Sequence, residues 1–372
     1  MEHNSSPTFP CSSITMENAA FSPVQSSNLL PNQISSSNSS DAQILVTEVK
    51  QHSLITDKLL DHILCLLFLS VFCILGVLTR YFLKSLFGPA TANITNYDGV
   101  LYLDLPSNMV GSFLMGWLGV VFKSEITQIS SHLAMGVTTG YLGSLTTFSG
   151  WNQKMVELSA DGRWAQTLVG FIVGLFLAAY SIRFGVGTAS FVKSFLTERN
   201  LITWNWRVDK TVFNAIFSFF LCILVTASGV MAKKKFPKHE SSSELWLGCL
   251  VGPFGVWVRW YISRFNGRGK GFFKRMPIGT LVANVSASLV MAALSTWRKT
   301  VNSDNLGTVL GGLQIGFLGC LSTVSTFMAE YYTMEIGENT VTPYLYALMT
   351  IVPSFGLGVL IYYSPDWVKG HH

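Results

Sequence analysis

"GYLGSLTTFSGWNQK", residues 140–154, lies inside a long apolar segment and sets glycines and a run of four hydroxyl residues where a membrane helix carries Leu and Val. The chain nearly repeats the phrase at residues 316–330 as "GFLGCLSTVSTFMAE". In hydrocarbon every backbone carbonyl must be paired, so a helix is interrupted only where protein or an ion satisfies the freed groups. Gly143 and Gly319, each followed three residues later by Thr146 or Ser322, mark such an interruption in each copy. A lone glycine pair reads as close helix packing. The doubled motif with its hydroxyl run reads as two functional breaks. Facing each other at the midplane, two inverted breaks aim carbonyls at one point, which suits a small cation such as sodium.

Composition sets the class. The 372 residues are 49% hydrophobic and 12% charged, with mean hydropathy +0.40, whereas soluble domains run near a quarter charged. Apolar runs fall at roughly 60–83, 99–121, 131–155, 165–187, 211–231, 245–265, 276–297, 306–334 and 343–363. A bilayer crossing takes about 20 residues, so the expectation is an all-α polytopic membrane protein with nine spans. The net charge of +5 gathers in "KKKFPK" (233–238) and "RFNGRGKGFFKR" (264–275). Basic loops beside spans are a topology signal and imply no nucleic acid. The six cysteines show no C-x-x-C pattern and the seven histidines no metal-ligand spacing. An intramembrane enzyme lacks support: there is no H-E-x-x-H, no deep carboxylate pair and no Ser with a mid-span His. "NGRGKG" (266–271) resembles a phosphate loop but lies between spans, without a strand–helix context.

Residues 1–57 hold thirteen Ser among Asn, Gln and Pro, a composition that reads as a disordered tail. The tail has no basic n-region before an apolar h-region, so it does not read as a signal peptide and is expected to stay in the cytosol. A first four-span repeat (58–190), a linker with one inverting transmembrane helix (191–243), a second four-span repeat (244–365) and a short tail (366–372) follow. "GVLTRYFL" (76–83) pairs with "GVWVRWYI" (255–262), and "SNMVGSFLMG" (107–116) with "ANVSASLVMA" (283–292). Four spans return the chain to its starting side, so one extra span inverts the second repeat against the first. Nine spans then leave the C-terminus outside. The sequon at Asn93 would face outside too.

Asn108 and Asn284 stand mid-span near small residues. Each suits either an interhelical hydrogen bond or the donors an anion needs, and their recurrence favours the second. Arg80 and Arg259 sit near span ends, suited to snorkelling or to a basic vestibule that concentrates anions.

Together these motifs resemble the CrcB/Fluc fluoride-channel family in its fused eukaryotic, FEX-type form. The second-span pattern G-T-L-x-x-N-x-x-G-S-F is met by "GTLVANVSASL" (279–289) and "NMVGSF" (108–113). The third-span pattern G-x-x-G-x-x-T-T-F-S-T-F-x-x-E is matched at 140–154 and 316–330, and G-x-x-x-R-Y by Gly76, Arg80, Tyr81 and by Gly255, Arg259, Trp260. The resemblance covers residues 60–363. It implies two inverted four-span units, a central structural sodium held by the carbonyls of Gly143, Thr146, Gly319 and Ser322, and pores lined by phenylalanine edges crossed between units. Carried over, the crossing gives one intact pore with Phe148 and Phe327 and one degenerate pore with Val324 and Trp151. Lys154 replaces the family Glu that Glu330 keeps. Thr350 and Ser354 form a hydroxyl track where the first half has Gly170 and Gly174.

Fluoride is strongly hydrated and accepts hydrogen bonds, so a selective path needs donors along a narrow bore. Thr147, Ser149, Asn108, Asn284, Thr350 and Ser354 join the two Phe as candidate fluoride contacts. The resemblance implies passive, potential-driven export across the plasma membrane by a single chain in the lipid bilayer, its halves forming a pseudo-dimer. The alternative is a sodium-coupled inverted-repeat secondary transporter of a small solute or anion.

Overall fold

A computed structural model describes residues 38–199, 210–236, 241–269, 276–300, 303–337 and 341–369, and among these there is no strand. The chain divides into two units, Met1–Leu64 and Cys65–His372. In the first unit the described residues, from Asn38 on, are helical. The second unit holds the features discussed below.

The first half begins with α1 (Asn38–Phe87) and α2 (Leu105–Leu114). Helix α2 continues through π-helical turns at Met115–Val121 to α3 (Lys123–Ile129), bent from it by 67°. Next, α4 (Ser131–Met135) runs through π-helical turns at Gly136–Leu142 into α5 (Gly143–Leu145), stops, and restarts as α6 (Phe148–Ala160). The half closes with α7 (Trp164–Glu198), and α8 (Lys210–Lys235) links it onward. The second half repeats the order with α9 (Ser241–Ser263), α10 (Ile278–Thr300) and α11 (Asp304–Leu313). Helix α11 passes through π-helical turns at Gln314–Leu318 into α12 (Gly319–Leu321), breaks, and resumes as α13 (Ser325–Glu335) before α14 (Thr342–Lys369).

Among the described residues, seven helical segments, the interrupted Asp304–Glu335 included, are long and apolar enough to cross a membrane, or eight if the bent pair counts as one. Nine continuous spans are not recovered. The segment 131–160 is cut at its break, and neither piece reaches the roughly 20 residues a crossing takes. Helix α1 also starts inside the expected tail, because the serine-rich composition ends at Ser40 and helix formers follow. Residues 1–37 and 370–372 of the two expected tails lie outside the described residues.

The last turns of α1 (Lys84, Ser85) and the first turn of α9 (Glu244) line one cavity. Matching helices of the two halves therefore run in opposite senses, and the repeats are inverted. Helix α8 packs Phe217 against Phe68 at 4.4 Å and turns Val212, Ile216 and Phe219 outward. Apolar belts of this kind, with Phe176 and Phe184 outward on α7, mark a multi-pass membrane protein.

Gly76 and Gly255 seat the first helix of each half against the segment just before its break. A Cβ on Gly76 would lie 2.6 Å from the Tyr141 carbonyl oxygen, and one on Gly255 would overlap the Phe317 carbonyl and lie 3.1 Å from Leu321 N. Both neighbours are backbone and cannot swing away.

At the breaks the backbone turns extended: Thr146 has φ −102° and ψ 149°, and Ser322 has φ −89° and ψ 160°. The loose groups are taken up crosswise. Thr146 Oγ1 accepts the N–H groups of Val324 (3.2 Å) and Ser325 (3.0 Å) in the other half. Ser322 Oγ accepts the N–H of Ser149 (3.0 Å). Ser325 Oγ donates to the Leu142 carbonyl at 2.9 Å, and Ser149 Oγ to the Leu318 carbonyl at 3.3 Å. Each half thus caps the restarting helix of the other.

Two results are expected. Gly255→Ala and Gly76→Ala should each destabilise the purified protein by about 1–3 kcal/mol, read as a lower melting temperature in detergent. Gly187→Ala and Gly307→Ala, with open space around them, should not. Thr146→Val, which keeps shape and removes the shared cap, should cost about 1–2 kcal/mol; an unchanged melting temperature would mean the crossed caps carry no weight.

Candidate functional site

Phe148 at the start of α6 and Phe327 on α13 come from opposite halves and meet edge to face, with centroids 6.0 Å apart at 74°. Both are fully buried. Phe327 in turn meets Tyr346 of α14 at 5.0 Å and 67°. On one side of this row lies a polar knot. The Tyr346 hydroxyl donates to Glu330 Oε2 (2.7 Å), while Thr280 Oγ1 (2.6 Å) and Asn266 Nδ2 (3.0 Å) donate to Glu330 Oε1.

On the other side, Thr350 and Ser354 follow Tyr346 on successive turns of α14, both fully buried. Thr350 Oγ1 donates to the Tyr346 carbonyl at 2.9 Å. Asn152, one turn past Phe148 on α6, donates through Nδ2 to the Ser354 carbonyl at 3.2 Å. Farther along, the Tyr363 hydroxyl donates to the Ser159 carbonyl at 3.0 Å. Helices α6 and α14 therefore run parallel, with the aromatic row and the hydroxyls along their seam. Aromatic edges carry partial positive charge and hydroxyls donate, so the seam is chemically suited to a small anion.

The first half has filled the equivalent space. Its counterparts of Thr350 and Ser354 are Gly170 and Gly174. A Cβ on Gly174 would lie 2.6 Å from the Trp151 indole, and one on Gly170 would overlap the Met155 sulfur. Trp151 lies parallel to Tyr102 at 6.1 Å and edge-on to Phe148 at 5.7 Å. Val324 shares this core with Trp151. Lys154, in the place matching Glu330, pairs with Glu157 at 3.8 Å.

Several expected sites sit elsewhere than the sequence suggested. Asn108 and Asn284 are buried, and their amides act as peptide mimics at the breaks. Asn108 Oδ1 accepts Thr147 N (2.9 Å) while its Nδ2 donates to the Thr147 carbonyl (3.2 Å). Asn284 does the same with Thr323, at 2.8 and 3.1 Å. Asn108 Nδ2 also donates to the Tyr102 hydroxyl (3.1 Å), so its donors are already committed.

Arg80 and Arg259 do not snorkel; they are 4% and 3% exposed. Arg259 donates to the carbonyls of Gly143 and Thr139, both at 2.7 Å. Arg80 crosses the other way, to the Ile315 carbonyl at 2.5 Å. The Thr139 and Ile315 carbonyls lie in the π-helical turns ahead of the breaks, and that of Gly143 in the short helix that follows those turns. Of the two, Arg80 also borders the cavity of about 680 Å³ that reaches Thr147 and Gly150 and carries Lys84, Asp104, Glu244 and Arg298.

Thr147 Oγ1 and Ser149 Oγ both lie in the hydroxyl knot at the break, 3.2 and 2.9 Å from Ser322 Oγ. Thr146 and Ser322 are fully buried, and their carbonyls receive no hydrogen bond from the described residues. The sequence reading missed Tyr346, Thr280, Asn266 and Asn152. Only their place on or beside the helices flanking the breaks could have pointed to them.

The description "CrcB-like protein, Camphor Resistance (CrcB)" belongs to the family that matches this chain twice, over residues 67–186 and 246–362. Fluoride export protein 1 of Saccharomyces cerevisiae is 26% identical over 377 residues, spanning 83% of this chain and 94% of the yeast protein. Fluoride export protein 1 of Candida albicans is 27% identical over 334 residues, 79% of this chain and 78% of its own length. The fluoride-specific ion channel FluC 1 of Staphylococcus aureus (strain NCTC 8325 / PS 47) is 38% identical over 112 residues, covering 30% of this chain and 84% of the bacterial one. No solved structure matches. Two matches in one chain, one per inverted half, mean that this protein belongs to the CrcB family as a fused, two-domain member.

Proposed function

We propose that the chain is a fluoride-selective channel that exports fluoride passively through one working path. The crossed Phe148–Phe327 pair, flanked along α14 by Thr350 and Ser354, carries this reading. Its relatives' names, fluoride export protein and fluoride-specific ion channel, agree with it. A fluoride ion shedding water exchanges it for aromatic edges and hydroxyl donors in turn, so no single site holds it tightly. An inside-negative potential contributes about 2.3 kcal/mol per 100 mV for each anion leaving. The second path is closed by Trp151 and Met155, whose side chains fill the space of the missing hydroxyls. We place the protein in the plasma membrane with its N-terminus cytosolic and its C-terminus outside.

The breaks also fit a structural sodium ion. Thr146 and Ser322 offer buried carbonyls without donors, and the Gly143 and Gly319 carbonyls complete the set. Gly143 shares its oxygen with Arg259, which its two lone pairs allow. Bound there, sodium would neutralise the dipoles of these carbonyls; permeation itself falls to the side chains of the seam.

Fluoride efflux from proteoliposomes of purified protein tests the reading. Wild type should pass fluoride far faster than chloride. Phe148→Ile and Phe327→Ile should each reduce the flux by at least about tenfold, the equivalent of roughly 1.4 kcal/mol in the barrier. Trp151→Ile should leave it within twofold or so. Saturable flux that requires a sodium gradient would instead favour a coupled transporter. Exchanging sodium for N-methylglucamine should lower the melting temperature, and no change would remove sodium from the scheme.

A further inference from the structure

Asn152 has no role in the breaks and no polar counterpart in the other half, where the matching residue is the buried Met328. It is fully buried, as is Ser354 across the seam. Two atoms of this pair have no hydrogen-bond partner: Asn152 Oδ1 and Ser354 Oγ. Burying an unpaired amide oxygen is costly, and an apolar residue would pack here without that cost. Gly358, one turn beyond Ser354, keeps the wall low beside the amide. A Cβ there would lie 3.5 Å from Asn152 Nδ2 and 3.3 Å from Val156 Cγ2. Asn152 is also one helical turn past Phe148, on the same face of α6. An ion leaving the phenylalanine edges therefore meets this pair next.

We propose that Asn152 and Ser354 form a rehydration station on the conducting path, an inference that rests on the channel reading above. Asn152 Oδ1 fixes one hydrogen of a water molecule. The other hydrogen of that water, the Ser354 hydroxyl and the second hydrogen of Asn152 Nδ2 then serve as donors to the fluoride. The amide oxygen, which would repel a bare anion, is masked by the water it orients. Asn152 thereby returns to the ion the hydrogen bonds that the aromatic passage withdrew.

The test is fluoride flux and its concentration dependence in proteoliposomes of the full chain, comparing wild type, Asn152→Leu, Asn152→Asp, Asn152→Ser and Met328→Leu. Asn152→Leu should lower flux about tenfold or more, a barrier change in the range of a lost hydrogen bond. Asn152→Asp keeps the shape and adds a like charge, and should abolish flux. Asn152→Ser should retain part of the flux, with half-saturation moved to higher fluoride, a shift that a packing defect alone would not produce. Met328→Leu should behave as wild type. Wild-type flux in either Asn152→Leu or Asn152→Asp overturns the station while Phe148→Ile still blocks. If Asn152→Leu does not fold, the isosteric Asn152→Asp decides. Wild-type protein that carries no fluoride would instead sink the channel reading itself.

Discussion

A helix that stops inside a bilayer leaves amides and carbonyls that water cannot reach, and each must find a partner within the protein. Here the partners are exchanged between halves. The hydroxyl of Thr146 caps the helix restarting at Ser325, and that of Ser322 caps the one restarting at Phe148. Arg259 and Arg80 reach across to carbonyls on the segments ahead of the breaks. Asn108 and Asn284 hold the exposed peptide of their own half. Every other feature of the centre follows from this crossed arrangement, including the meeting of Phe148 with Phe327.

The crossing separates two sets of residues with different freedom to change. Positions that close the breaks have counterparts of the same chemistry in both halves: Asn108 with Asn284, Arg80 with Arg259, Thr146 with Ser322. Positions along the seams have diverged. Phe148 stands against Val324, Phe327 against Trp151, Glu330 against Lys154, and the two hydroxyls of α14 against two glycines of α7. A seam can be filled by an indole and a thioether without disturbing a cap, because caps and seams use different side chains. Divergence along one seam is therefore compatible with an intact fold.

Much of this was legible in the chain itself. The duplicated phrase, the Gly–Thr and Gly–Ser spacing and the odd helix between repeats lead to inverted halves and broken helices by counting alone. The crossed phenylalanines were expected only through family resemblance, since no periodicity states which half faces which. For the arginines, proximity to a span end left snorkelling and a vestibule equally open, and only coordinates reveal a carbonyl from the other half within reach. The asparagines were assigned to the ion because an amide's hydrogen bonds to a peptide look, in sequence, like spare donors. Asn152 stayed hidden for the opposite reason: nothing repeats it.

The crossed caps also order events during synthesis. When Ser149 leaves the ribosome, the hydroxyl that will receive its N–H belongs to Ser322, which does not yet exist as chain. At about 5–20 residues per second, that partner arrives roughly 10–35 s later. Through this interval the break in the first half lacks the partner that its N–H has in the finished structure. A tethered second half shortens the wait to a fixed transit time and removes any dependence on finding a separate subunit. Fusion of the repeats thus converts a concentration-dependent search into a clocked intramolecular step.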